Sequence, residues 1–189
     1  PETWVWRQPE QLRALADVVA PAWLARHPGR PLRIWRAACC SGEEPAGIAI
    51  ALAEAGLLHR AEIVGSDAST AMIERAERGA FSARSLRNLP DQLRERWFRC
   101  EHAAWRLEPR LRERIRYTVA NLVDADAVRP LATADVIFCR NVFIYFADDT
   151  IVRTVRTFAQ AMPDDGHLFL GASESLTRLG TEFELAEVG

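Results

Sequence analysis

The sequence contains no lysine; all 24 of its basic residues are arginine. That excludes a Walker A phosphate loop and a lysine Schiff base. Any phosphate or carboxylate handling falls to guanidinium groups. Cysteine is scarce. Cys39, Cys40, Cys100 and Cys139 form no CxxC pair and stand at no zinc-type spacing from histidine, so no metal site is expected. Cys39 and Cys139 sit in or at the ends of apolar runs, and the thiols read as reduced and buried. No apolar run approaches the roughly 20 residues that span a bilayer. The opening "PETWVWRQPE" has no signal-type apolar stretch. A net charge of -2 gives no overall pull toward nucleic acid or membrane. What remains is 189 residues, 49% hydrophobic and 26% charged, which suits one ordinary globular domain.

The apolar patterning alternates between two periods. A helix is expected from residue 9 at least as far as Pro21, with Leu12, Leu15 and Val19 on one face. "LRIWRAA" (32–38) reads as a strand, and "PAGIAIALAEA" (45–55) as a buried helix that Gly56 ends. "AEIVGSD" (61–67) is a second strand. The helix after it has Ser69 as N-cap and Gly79 as its stop. A short helix near 90–98 and hairpin-like material from Trp97 to Leu111 follow. Strands are then expected at 114–122, 134–141 and 167–173, with an amphipathic helix at 148–162 and a possible sixth strand at 182–188. This order predicts an α/β, Rossmann-like, doubly wound and mostly parallel sheet. In such sheets ligands bind beyond the carboxyl ends of the strands.

The residues that follow the strands are therefore the candidates. The turn "CCSGEEP" has one glycine before its two glutamates, where a dinucleotide loop wants three. Glu43 and Glu44 suit either a charged first helical turn or the attraction of a cationic ligand group. Asp67 closes the second strand. It is placed to accept from ribose hydroxyls, or to cap the next helix. Asn121 and Leu122 follow the third strand, where an amide and an aliphatic chain could flank an adenine. Arg140, Asn141 and Tyr145 follow the buried fourth strand. A nucleoside without a pyrophosphate cradle, a ribose acid and carboxylates near a cation together suggest S-adenosylmethionine (SAM).

The sequence also resembles a known family. "ACCSGEEP", "SDASTAMIERAERGAFS", "FCRNVFIYF" and "LFLGASESL" are similar, in order and spacing, to the motifs of the CheR-type chemoreceptor methyltransferases. "PETWVWRQPEQL" resembles the family's TxFFRDxxxF segment. The likeness runs from Thr3 to about Phe183. It implies a SAM-dependent protein-glutamate O-methyltransferase, yielding S-adenosylhomocysteine (SAH). The implied substrate is the cytoplasmic helical bundle of a methyl-accepting chemoreceptor. A cytoplasmic monomer with no nucleic-acid partner and no membrane insertion is expected. The resemblance also implies roles for residues. Thr3 and Arg7 close over the cofactor, Glu43 meets its methionine end, and Asp67 its ribose. Asn121 and Leu122 lie at the adenosine, with Arg140 and Asn141 nearby. Arg7 and Tyr145 serve the transfer itself. Residues 1–30 are expected as a linker and helix closing over the cofactor. The methyltransferase domain fills 31–189, with a small β-subdomain at about 97–113.

Some letters depart from the family pattern. Ala46 replaces an aromatic, Val5-Trp6 replaces Phe-Phe, Ala172 replaces a histidine, and Pro1 stands where the family tends to carry an asparagine. The family's basic helical N-terminal domain and its final "FVYRR"-like strand are not matched in this sequence. These departures motivate an alternative, a SAM- or SAH-binding regulatory module without turnover. A small-molecule methyltransferase is a third reading.

Overall fold

The computed structural model describes residues 2–188, so Pro1 lies outside the described residues. The N-terminal helix begins as α1 (Pro9–Arg13), widens into a π-helical turn (Ala14–Val19) and continues as α2 (Ala20–Arg26). It runs past Pro21. Proline removes an intrahelical donor, and the wide turn ahead of it accommodates the gap without ending the helix.

β1 (Leu32–Ala37), α3 (Glu43–Glu54), β2 (Ala61–Asp67) and α4 (Thr70–Arg78) follow in alternation. Gly42 turns the chain into α3 at φ 90°, where a Cβ would lie 2.8 Å from Tyr117 Oη and 2.9 Å from Ala76 Cβ. Ser69 caps α4 by accepting from Met72 N, and Gly79 ends it in the left-handed region. β3 (Ala80–Phe81), α5 (Asp91–Trp97), β4 (Phe98–Glu101), β5 (Ala104–Leu107) and α6 (Pro109–Arg112) come next. β3, β5 and β4 form a small antiparallel sheet in that order. β6 (Ile115–Val119), α7 (Ala125–Val128), β7 (Val136–Cys139), α8 (Asp148–Ala161) and β8 (His167–Leu170) complete the fold.

The main sheet is parallel throughout, in the order β6-β2-β1-β7-β8. The side-chain period of 2 sorts its residues between two cores. Leu32, Ile34, Val136 and Phe138 join the core beneath α3. Trp35, Ala37, Ile137 and Cys139 join the opposite one, beneath α8. The same parity puts Arg36 and Arg140 on the α3 face. α3 is buried along most of its length, Glu43 to Leu52, which explains its unbroken apolar sequence.

The strand expected at 182–188 does not form. Glu182, Glu184 and Glu187 are solvent-exposed there. A groove of about 650 Å³, lined by Leu168, Leu170, Phe183, Leu185 and Val188 among others, borders β8 at the edge of the sheet. Among the described residues the segment makes no ladder with β8, the edge strand beside this groove, and a ladder is what makes a strand. Cys39 and Cys139 are buried as expected; Cys100 is exposed and Cys40 half-buried, so the expectation for those two fails.

Candidate functional site

The ends of β1 and β7 carry two arginines into the protein's interior. Arg36 and Arg140 are 3% and 1% exposed, and both reach Glu44 in the first turn of α3, itself 2% exposed. Arg36 donates to it from Nε (2.7 Å) and Nη2 (2.9 Å). Arg140 donates from Nε at 2.9 Å. Arg140 Nη2 lies 2.7 Å from the same oxygen but off the line of a hydrogen bond, so that donor has no partner. Burial opposes ionisation of Glu44, yet Arg36 and then Arg140 outweigh it and hold the carboxyl at about 2. Glu44 is thus neither a solvated first-turn acid nor a free ligand contact. It is the hub of a buried ionic cluster. Arg7 comes within 3.8 Å of it, so three guanidinium groups face one carboxylate and leave a positive surplus.

That surplus lies under a strap formed by residues 3–8. Val5 is fully buried, and its amide donates to Ser85 O at 2.8 Å. Its carbonyl packs so closely on α3 that a Cβ at Gly47 would collide with it. Arg140 Nη1 donates to Arg7 O at 3.1 Å and to Gln11 Oε1 at 3.2 Å. Gln11 in turn donates to Leu170 O at 2.7 Å, tying the start of the helix to the end of β8. The Arg7 guanidinium donates to Glu2 O at 2.9 Å and sits over the Trp4 ring. Thr3 Oγ1 on this strap is buried without a hydrogen-bond partner.

Glu43 is buried, and its carboxylate accepts from Ser41 Oγ and Ser85 Oγ at 2.9–3.1 Å. Asp67 is half-buried at the end of β2. It accepts from Cys40 N (2.9 Å) and Ser69 N (3.0 Å), one bond to each oxygen. A carboxylate offers about four acceptor positions, so roughly half of its capacity stays open. Ala120 N donates to Asp67 O, which sets Asn121 beside this acid in the chain path after β6. Asn121 is exposed and accepts from Val123 N. The Leu122 side chain lies in the core beneath α8 instead. Asn141 adopts φ 58° just past β7, and its Oδ1 is buried without a partner. Tyr145, 79% exposed, ends a 3-10 turn (Phe143–Tyr145) on the same loop.

Arg36, Gly47, Gln11 and Ser85 were not foreseen as site residues, and Glu44 was expected as a first-turn acid or a ligand contact, not as the hub of an ionic cluster. An arginine inside the apolar run "LRIWRAA" was the available signal for the first, because a central strand seldom buries a charge without a partner. Among the described residues no group of three or more His, Cys, Asp or Glu could hold a metal ion, and no helix is long and apolar enough to cross a membrane.

Strand order, an acid after β2 and an open polar group past β7 match a Rossmann-like fold of the SAM-dependent methyltransferase class. A solved Nostoc punctiforme structure classed with the O-methyltransferases shares that fold at a TM-score of 0.50 and 16% identity, over 88% of this chain and 37% of its own. The family model "CheR methyltransferase, SAM binding domain" matches residues 1–188, and the chain belongs to that family. Its cofactor is accordingly SAM. Chemotaxis protein methyltransferase 2 of Vibrio cholerae is 37% identical over 97% of this chain and 65% of its own length. A Pseudomonas aeruginosa relative named "Probable biofilm formation methyltransferase WspC" is 34% identical over 93% of this chain and 42% of its own. The chain thus spans less than two thirds of either of these curated relatives.

The site's residues fit the cofactor. Thr3 and Asn141 offer buried polar atoms without partners, Asp67 keeps open acceptor capacity, and the turn after β1 has no need to cradle a pyrophosphate.

Proposed function

We propose that the chain is the catalytic domain of a protein-glutamate O-methyltransferase acting on the cytoplasmic helical bundle of a chemoreceptor, as a cytoplasmic monomer. The family match across residues 1–188 carries this reading, and the chemotaxis name of the Vibrio cholerae relative supports it. Bound SAM would supply an electrophilic methyl group on its sulfonium; a substrate carboxylate oxygen would bond to that carbon as the C–S bond breaks, with neutral SAH as the leaving group.

In this reading Asp67 accepts from the ribose hydroxyls, Asn121 and the main chain of Leu122, whose side chain is in the core, border the adenosine, and Glu43 meets the methionine end. Thr3, Arg140 and Asn141 complete the contacts. Arg7 draws the substrate carboxylate toward the guanidinium surplus around Glu44, and exposed Tyr145 orients it at the mouth. A glutamate substrate is already ionised at pH 7, so no strong base is required. What the protein adds is alignment and the exclusion of water, and the strap over α3 suits the second task.

The test is tritiated methyl transfer from SAM to receptor-containing membranes. Base-labile methyl esters on the receptor are expected. Tight SAM binding with no label on any receptor would overturn the proposal in favour of a regulatory binding module.

A further inference from the structure

Glu174 gathers four backbone amides. Its Oε2 accepts from Asn141 N (2.7 Å) and Gly171 N (2.8 Å). Its Oε1 accepts from Val142 N (2.8 Å) and Phe143 N (2.7 Å). The first, third and fourth of these are successive amides of the loop that leaves β7. The remaining one leaves β8. One carboxylate therefore ties together the ends of two neighbouring strands. Val142 and Phe143 open the 3-10 turn that ends at Tyr145, and amides at the start of such a turn have no internal partner. Successive amides of this kind form an anion-binding concavity, which the chain here fills with its own side chain.

Three further observations set this carboxylate apart from an ordinary surface glutamate. Among the described residues it has no ion pair with an arginine, although arginines are plentiful; its recorded partners are backbone amides. Gly171 leaves the room it occupies, since a Cβ there would lie 2.7 Å from Glu174 Oε2 and 2.9 Å from Asn141 N. Asn141 holds a left-handed φ of 58° while its own Oδ1 lacks a partner. The Asn141 side-chain oxygen is thus aimed by its backbone, and that backbone is fixed through Glu174.

We infer that Glu174 is a positioning residue. Its carboxylate sets the 141–145 loop so that Asn141 and Tyr145 face the cofactor and substrate. The functional half of this inference rests on the proposed methyltransferase reading; the structural half does not. Glu174→Gln keeps the shape, but its amide nitrogen cannot accept, so two of the four bonds are lost along with the charge. Hydrogen bonds to charged groups are worth roughly 1.5–3 kcal/mol, which corresponds to about tenfold or more in a local opening equilibrium.

The experiment measures amide hydrogen exchange, SAH affinity and turnover per SAH-binding site in Glu174→Gln, with the milder Glu174→Asp measured identically in case Glu174→Gln does not fold. Exchange at residues 141–143 is expected to quicken about tenfold or more while β1 and β2 keep their protection. SAH affinity should fall, and turnover per bound site should fall further than affinity does. Unchanged exchange and affinity would overturn the inference. So would a uniform loss of protection across the sheet, which would make Glu174 a general stability element. If the wild-type chain methylates nothing, the methyltransferase reading fails, but the exchange and affinity results still decide the role of Glu174.

Discussion

Arg140 Nε donates to Glu44 Oε2 at 2.9 Å, across 96 residues of sequence. With Arg36 it keeps Glu44 ionised down to about pH 2, against an ordinary value of 4.5. The unfolded chain takes up this proton first as pH falls. The stabilisation from Glu44 is therefore complete above about pH 4.5 and is lost as pH drops toward 2. Glu44→Gln leaves two buried arginines uncompensated and is expected to cost about 3–5 kcal/mol near neutrality. Urea unfolding of both proteins from pH 7 to pH 2.5 checks this; the gap between them should narrow in acid. A gap that stays constant over that range would contradict the assignment.

Gly47→Ala drives a methyl group into the Val5 carbonyl. A cost of about 1–3 kcal/mol is expected, because the strap must shift. Calorimetric titration with SAH should show weaker binding while the melting curve stays cooperative. Wild-type affinity in this variant would mean that the strap does not border the cofactor.

Asp67→Asn keeps the shape but removes the charge. SAH affinity is expected to fall by about tenfold to a hundredfold, the range for hydrogen bonds to a charged group. Ser69→Ala is the control. It removes the cap of α4 at a cost of about 1 kcal/mol, and affinity should stay near wild type. Equal losses in the two variants would assign Asp67 to structure alone.

Tyr145→Phe should leave stability within about 0.5 kcal/mol, as expected for a side chain that is 79% exposed. SAH binding should persist while methyl transfer to receptor membranes slows. If turnover is undiminished, Tyr145 has no part in orienting the substrate.

The four thiols should react unequally. Burial pushes Cys39 up to about 12 and drives Cys139 upward too. Cys100 is exposed and Cys40 half-buried. A thiol-disulfide reagent at pH 8 should consume Cys100 first, Cys40 later, and the other two only on unfolding. Four equally fast thiols would contradict the core described above.

Periodicity carried much of the fold, because β1, β2 and β7 are buried runs with clear punctuation. The 182–188 segment misled because its alternation was real, but a strand also needs ladder hydrogen bonds, and among the described residues this segment makes none with β8. Asp67 and Arg140 were legible as positions, because each closes a buried strand. The site was not legible where a contact joins distant segments. Nothing local in "CCSGEEP" says that Glu44 meets Arg36 while Glu43 meets Ser85. Gly47 was similarly opaque: its constraint is the approach of Val5, 42 positions earlier in the numbering.

The strap is anchored through its own main chain, at the Val5 amide, the Val5 carbonyl and the Arg7 carbonyl. Such anchors are blind to the identity of the side chains they carry. Val5-Trp6 can therefore stand where the family pattern carries Phe-Phe without loosening these main-chain anchors. The freedom is asymmetric. As far as the attachment goes, the cost of error has moved to its distant holders, Gly47 and Arg140, while Val5 still answers to the core it fills and Thr3 and Arg7 to the proposed site.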